Sequence, residues 1–144
     1  MNNIDLLKAI ELLHSGQYTC VLINSQLCLT TRLRGVKPLA QWLRSSTVPA
    51  GFSAADKVVG KATAFLYCLL GAKAVYADVM SRGAKAVLER SGIHAQCAEL
   101  TDYIENGTKD GICPFEAAVQ DIENADQALE EIYSKMTELG ISYD

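Results

Sequence analysis

The chain has 144 residues, of which 49% are hydrophobic and 21% charged, a composition typical of one soluble globular domain rather than of a disordered chain. The formal net charge of −4 is spread without long single-sign runs and leaves no basic face for a phosphate backbone, so a nucleic-acid partner is disfavoured. The densest apolar stretch, residues 62–72, is too short to span a bilayer, and the N-terminus lacks the regions of a signal peptide. We therefore expect one domain, residues 1–144, in the cytoplasm and without membrane contact.

The first half of the chain begins with a helix and a strand pair. Apolar residues at helical spacing predict a helix over residues 4–14, ended by Ser15-Gly16. Two runs rich in β-branched residues, 18–24 and 27–31, predict an antiparallel hairpin. A short helix is expected within residues 35–46, followed by a loop.

The next segment combines a helix-start signal with an almost wholly apolar helix. Ser53 and Asp56 form a Ser-x-x-Asp start signal, and Gly71 is expected to end the helix after Leu70. Beyond Lys61 this helix is apolar on nearly every face, so it must be buried, against a sheet.

The remaining elements predict a parallel unit and a helical C-terminus. Residues 74–80 are typical of a buried strand, Ser81 caps a helix to Arg90, and residues 93–100 form a second, parallel strand. Residues 106–111 are expected to be a loop, and a long helical segment begins at about Pro114, with a possible break at 124–126. These elements predict a three-layer α/β domain with a central mixed sheet.

This order resembles the cytidine-deaminase fold, in which the buried helix of zinc enzymes starts with His-x-Glu or Cys-x-Glu and the next helix with Pro-Cys-x-x-Cys. Here the first place holds Ser53-Ala54-Ala55-Asp56-Lys57 and the second holds residues 79–88, while Ser91-Gly92-Ile93 is similar to the Ser-Gly-Ile that follows this helix in many deaminases. All three zinc ligands and the proton-shuttling Glu are missing from these places. The resemblance therefore implies the fold without zinc-dependent deamination.

A narrower resemblance rests on residues 56–62 and on Cys113-Pro114-Phe115-Glu116. Together these motifs are similar to an uncharacterised bacterial family that has the deaminase-like fold and lacks the zinc motifs. That family implies a fold and no activity, and a shared fold does not make an enzyme.

The candidate ligand-binding residues are cationic or lie at predicted helix starts. Lys57 and Lys61 would lie one turn apart near the start of an apolar helix, where their charge favours an anion unless they reach solvent or pair with carboxylates. Two helix starts converge on one pocket in the deaminase fold. The resemblance thus implies an anion site at Ser53 and Ser81, joined by Lys57, Lys61 and Arg82, although Arg82 also fits an ordinary surface helix.

The candidate catalytic residues are Asp56, Lys57, Cys113 and Glu116. A thiol at a helix start, followed by Pro114 at the first helical position, can be nucleophilic, with Asp56 or Glu116 as acid or base. The alternative is that Asp56, Cys113 and Glu116 only cap helices.

Cysteine and histidine usage limits the remaining chemistry. The cysteines are odd in number and, apart from Cys113, lie in apolar segments, so we expect no disulfide framework and four thiols in the core: Cys20, Cys28, Cys68 and Cys97. Two histidines are too few for a zinc centre, and we expect no metal and no cofactor.

Three functional interpretations remain open from the sequence. The first is a protein that binds a small anionic molecule, such as a nucleotide or phosphate-type ligand. The second is a metal-free enzyme that uses Cys113 as nucleophile, Asp56 or Glu116 as acid or base, and Lys57 or Lys61 to stabilise negative charge. The third is an interaction protein in which the long C-terminal helix builds a homodimer.

Overall fold

A computed structural model describes residues 3–25, 27–33, 35–105 and 111–142. These residues form a five-stranded sheet and six helices: α1 (Ile4–Ser15), β1 (Cys20–Asn24), β2 (Leu27–Thr31), α2 (Lys37–Ser45), β3 (Ser53–Val59), α3 (Lys61–Leu70), β4 (Ala74–Ser81), α4 (Arg82–Arg90), β5 (His94–Thr101), α5 (Pro114–Ala118) and α6 (Ala125–Glu138). The loop predicted at 106–111 lies, except for Gly111, outside the described residues. None of the helices in these ranges is both long and apolar enough to cross a bilayer.

The sheet has the strand order β2-β1-β3-β4-β5 and is mixed. β1 runs antiparallel to both β2 and β3, whereas β3, β4 and β5 are parallel. The predicted hairpin and the predicted parallel β4-α4-β5 unit are therefore confirmed. Because Cys20 pairs with Asp56, the start of β1 lies beside the middle of β3.

Helices cover both faces of the sheet and create two cores. On one face α1 buries Leu6, Ala9 and Leu13 against β1, β3 and β4. On the other face α3 is central, with eight of its ten residues buried, and it packs against α2, α4 and α6. The prediction of a buried apolar helix that ends at Gly71 is confirmed, since Gly71 adopts φ +88° at the helix C-terminus.

The predicted helix start at Ser53 is wrong, because residues 53–59 form β3 and α3 begins only at Lys61. The Ser53 hydroxyl does not cap a helix but accepts a hydrogen bond from Asn3 Nδ2 at 2.9 Å. The neighbouring alanines pack to opposite faces, Ala54 into the core around α3 and Ala55 into the core under α1. Small residues buried on both faces suit a central strand, which pairs here with β1 and β4.

The C-terminal segment divides where the sequence indicates a break. α5 is short, and Asn124 caps α6 by accepting the Gln127 N–H. The apolar face of α6, formed by Ala128, Ile132 and Met136, is buried in the core around α3. These three residues are therefore covered within the chain, and the homodimer expected from the sequence stays a prediction.

Candidate functional site

A cavity of about 640 Å³ opens where β3 ends and α3 begins. Its lining comes from five parts of the chain: the start of β1, the segment between β2 and α2, the β3-α3 junction, the segment after β5 and the start of α5. The larger apolar residues of the wall are Leu33, Val36, Pro38, Val58, Ile104 and Phe115. This volume and mixed lining are typical of sites for small organic molecules.

Asp56 lies in the cavity wall and is tied to the core by hydrogen bonds. The Tyr67 hydroxyl donates to Asp56 Oδ2 at 2.8 Å, and Cys20 Sγ lies 3.1 Å from the same hydroxyl oxygen. Since the hydroxyl proton is directed to Asp56, the Cys20 thiol is the donor to Tyr67. The three side chains thus form a chain of hydrogen bonds that ends at the cavity.

The surroundings of Asp56 favour its neutral form. Burial raises the pKa of Asp56 from 3.8 to about 7, against the opposing effect of the hydrogen bonds from Tyr67 and from the backbone. Burial, and then the charge of Asp56, also raises the pKa of Cys20 and that of Tyr67 well above their usual values. Within this group, therefore, Asp56 changes charge near neutral pH, while Cys20 remains a thiol and Tyr67 a phenol.

Two cations share the cavity with Asp56. Lys57 is exposed at its edge, and the Arg32 guanidinium carbon lies 4.9 Å from the centroid of the Tyr18 ring. Neither residue takes part in the ion pairs formed within the described ranges. Both charges are therefore available to a ligand.

Glu116 belongs to the cavity wall but already has a structural partner. Its buried carboxylate accepts the Lys61 N–H at 2.7 Å and so caps the start of α3. The approach is close because Gly60 has no side chain, and a Cβ at Gly60 would collide with Glu116 Oε2. The start of α3 is thus already capped by a carboxylate of the protein itself, that of Glu116.

Cys113 is partly buried and lies in the same cavity wall at the start of α5. Its N–H donates to the Ile104 carbonyl at 2.8 Å, which attaches this start to the segment after β5. All four predicted catalytic residues therefore line one cavity: Asp56, Lys57, Cys113 and Glu116.

Of the five predicted ligand-binding residues, only Lys57 lines the cavity. Ser53 is buried in β3, and Ser81 is buried as the cap of α4, where it accepts the Ala84 N–H. Arg82 is exposed and pairs with Asp102 at 2.9 Å. Each of these three residues has a hydrogen-bond or ion-pair partner elsewhere, and none of them lines the cavity together with Lys57.

Lys61 points away from the cavity into the helical layer. Its ammonium donates to the Gln120 carbonyl at 2.9 Å and lies 3.5 Å from Glu123 Oε1. The starts of α3 and α4 do adjoin, because a Cβ on Gly83 would lie 3.5 Å from Lys61 Cδ. The aliphatic chain of Lys61, however, occupies the position between these starts where the sequence predicted an anion.

The sequence did not identify Arg32 or Tyr67. The signal for Tyr67 was a hydroxyl on an otherwise apolar buried helix, since such a group requires a partner. The expectation for Cys28 was also wrong, because this thiol is exposed on the edge strand β2, whereas Cys20 is buried and Cys68 and Cys97 are partly buried. Within residues 3–25, 27–33, 35–105 and 111–142, no cluster of His, Cys, Asp and Glu is arranged to hold a metal ion.

Comparison with known proteins supports the fold and defines the family. The profile of the family described as TM1506, domain of unknown function (DUF1893), matches residues 8–136. The crystal structure of a DUF1893 family protein (TM1506) from Thermotoga maritima superimposes with a TM-score of 0.84 and 20% identity, covering 94% of this chain and 92% of that chain. No curated protein matches the sequence significantly. The chain belongs to the DUF1893 family.

Proposed function

We propose that the cavity at the β3-α3 junction binds a small organic anion, with Arg32 and Lys57 facing the anionic group. The observation that carries this proposal is that both cations line the cavity and are absent from the ion pairs formed among the described residues. The apolar wall would take the body of the ligand, as in most small-molecule sites.

Two of the three carboxyl residues that line the cavity, Glu116 and Asp56, are held in ways that reduce their competition with an anionic ligand. Glu116 is engaged at the start of α3, where the helix dipole favours its negative charge. Asp56, whose pKa is raised to about 7, is partly neutral at physiological pH. Glu105, exposed in the segment after β5, is the third carboxyl residue of the lining, so the proposal depends on a ligand group that lies close to Arg32 and Lys57 rather than on a net positive charge of the cavity.

We further propose that the domain has a cytidine-deaminase-like fold without the zinc chemistry. A mixed sheet, a buried α3 and adjoining starts of α3 and α4 support this relation. With α3 beginning at Lys61, its first residues are Lys61-Ala62-Thr63, and α4 begins with Arg82-Gly83-Ala84. Neither start offers a thiolate, an imidazole or a catalytic Glu, so the residues present do not fit a deaminase zinc centre.

The anion-binding proposal is tested by ligand-induced stabilisation. Nucleotides, sugar phosphates and small organic acids are screened by thermal shift, because a ligand of the folded state raises the apparent stability. For a ligand found in this way, Lys57→Ala and Arg32→Ala should each weaken binding by about 1–3 kcal/mol, the usual effect of losing a charged hydrogen bond. Lys73→Ala is the matched control, since Lys73 is exposed and lies outside the cavity.

Two results would contradict the proposal. One is the absence of any stabilising anion in the panel at millimolar concentration. The other is a ligand whose affinity is reduced by Lys73→Ala as much as by Lys57→Ala, which would indicate nonspecific attraction to surface charge.

A metal-free enzyme is the second candidate, because Cys113, Asp56 and Lys57 all belong to the lining of one cavity. A nucleophile, an acid or base and a cation are the groups that covalent catalysis combines. The accessibility and reactivity of Cys113 decide this candidate.

A further inference from the structure

The two carboxylate oxygens of Asp56 differ in their surroundings. Oδ2 accepts the hydroxyl proton of Tyr67 at 2.8 Å, whereas Oδ1 accepts a longer hydrogen bond from the Val58 N–H at 3.4 Å. Since Asp56 lines the cavity, Oδ1 is the atom with capacity for a further hydrogen bond.

Charged and titratable groups lie on two sides of Asp56, the core side and the cavity side. From the core side, these are Cys20 of β1 and Tyr67 of α3. The other groups around the cavity are Arg32, Lys57, Glu105, Cys113 and Glu116. None of the cations in the described ranges lies within ion-pair distance of the Asp56 carboxyl.

We propose that the cavity takes up its anion together with a proton on Asp56, so that the ligand is an oxoanion with one oxygen hydrogen-bonded to the Asp56 carboxylic acid. This inference rests on the anion-binding function proposed above. It adds the ligand class, a small organic oxoanion, and a dependence of its binding on pH.

The reason is the cost of placing two negative charges together in a partly open cavity. An ionised Asp56 would repel the oxoanion, and the repulsion is stronger in a partly desolvated cavity than in water. A protonated Asp56 instead donates a hydrogen bond to the anion, and a hydrogen bond to a charged group is stronger than one between neutral groups. The raised pKa of Asp56, about 7, makes this proton available near neutral pH.

The test uses benzoate and benzenesulfonate, which stay ionised between pH 6 and pH 8, so that only the protein titrates. Binding that requires a protonated group of pKa about 7 should weaken about tenfold from pH 6 to pH 8, because the competent fraction falls by that factor. Asp56→Asn carries a permanent amide donor, and its affinity should not change with pH. Asp121→Asn, at an exposed site outside the cavity, is the matched control and should retain the wild-type pH profile.

Two further measurements separate proton linkage from a loss of structure. Calorimetry in two buffers with different ionisation heats should show the uptake of about half a proton per benzoate bound at pH 7. Tyr67→Phe removes a hydrogen bond that lowers the pKa of Asp56, so the fall in affinity should move to higher pH. A role of Tyr67 in packing alone would not move this midpoint.

The outcomes distinguish this inference from the proposed function. If benzoate or benzenesulfonate binds with an affinity that is constant or rises from pH 6 to pH 8, Asp56 is not protonated in the complex. The inference is then wrong and anion binding stands. If neither probe binds at either pH, the inference is contradicted, whereas the proposed function is contradicted only if no anion of the thermal-shift panel binds.

Discussion

At the scale of single residues, Asp56 links the stability of the fold to pH. Its pKa is about 7 in the folded chain and near 3.8 when the chain is unfolded, so the folded state binds the proton more tightly. The stability due to this group is fully present below about pH 3.8 and is lost as the pH rises to about 7. Above that value its contribution no longer changes.

Asp56→Asn should remove this dependence. The free energy of unfolding of the wild type, relative to the variant, should fall by at most about 1.4 kcal/mol per pH unit between pH 5 and pH 7 and then level off. Urea unfolding of both proteins at several pH values measures the difference. A difference that is constant, or that grows with pH, would show that Asp56 is not held neutral by its surroundings.

Cys113 should react with iodoacetamide faster than Cys20, because Cys113 is partly exposed, whereas Cys20 is buried and burial raises the pKa of its thiol. Cys28 is the exposed reference thiol and should also react. Labelling is followed site by site by mass spectrometry, with and without a bound anion, which should protect Cys113 and leave Cys28 unchanged. Should Cys113 label no faster than Cys20, it is a structural cap and the enzyme candidate fails.

At the scale of elements, patterns that depend on neighbouring residues were predictable from the sequence. The hairpin, the cap of α4 at Ser81 and the break before α6 all follow from local propensity and capping. β3 was not predictable in this way, because Ser53 and Asp56 have the spacing of a helix start and the alternation of two alanines is a weak strand signal. Pairing with strands on both sides decides its structure, and such pairing is a tertiary effect.

The prediction of a helix in place of β3 also explains why some site residues were found from the sequence and others were not. A helix from Ser53 would place Lys57 and Lys61 one turn apart, but the junction between β3 and α3 lies between them and sends their side chains to different regions. Asp56, Cys113 and Glu116 were recognisable by residue type and by the motifs that contain them. Arg32 reaches the cavity only through the folding of the segment after β2, which no local pattern reveals.

The start of α3 offers a prediction with an internal control. Gly60→Ala should destabilise the fold by about 1–3 kcal/mol, since its Cβ must displace the Glu116 carboxylate that caps α3. The φ of Gly60, −94°, suits any residue, so the cost arises from lost space rather than from backbone strain. Gly83→Ala meets only ordinary contacts at 3.5 Å and should be neutral or stabilising by up to about 1 kcal/mol. Chemical unfolding measures both, and equal effects would refute the role assigned to Gly60.

At the scale of the whole molecule, the absence of deaminase ligands at both helix starts leads to a prediction about metal content. The protein should purify without stoichiometric zinc and should not deaminate cytidine, adenosine or guanine, because Lys61 and Glu116 occupy the start of α3 and Gly83 offers no ligand. Elemental analysis measures the metal. One equivalent of zinc bound by protein side chains at the start of α3 or α4 would contradict this account.

Locating a bound anion shows directly whether the cavity at the β3-α3 junction is an anion site. In two-dimensional amide NMR spectra recorded during a benzoate titration at pH 6, the largest shifts should appear around the cavity, at Gly35, Lys57, Val58 and Gly60. The same titration of Lys57→Ala should require at least about fivefold more benzoate for half-saturation, as a loss of about 1 kcal/mol or more implies. Shifts centred on exposed lysines elsewhere, such as Lys73, or a titration unaffected by Lys57→Ala would show that the cavity is not an anion site.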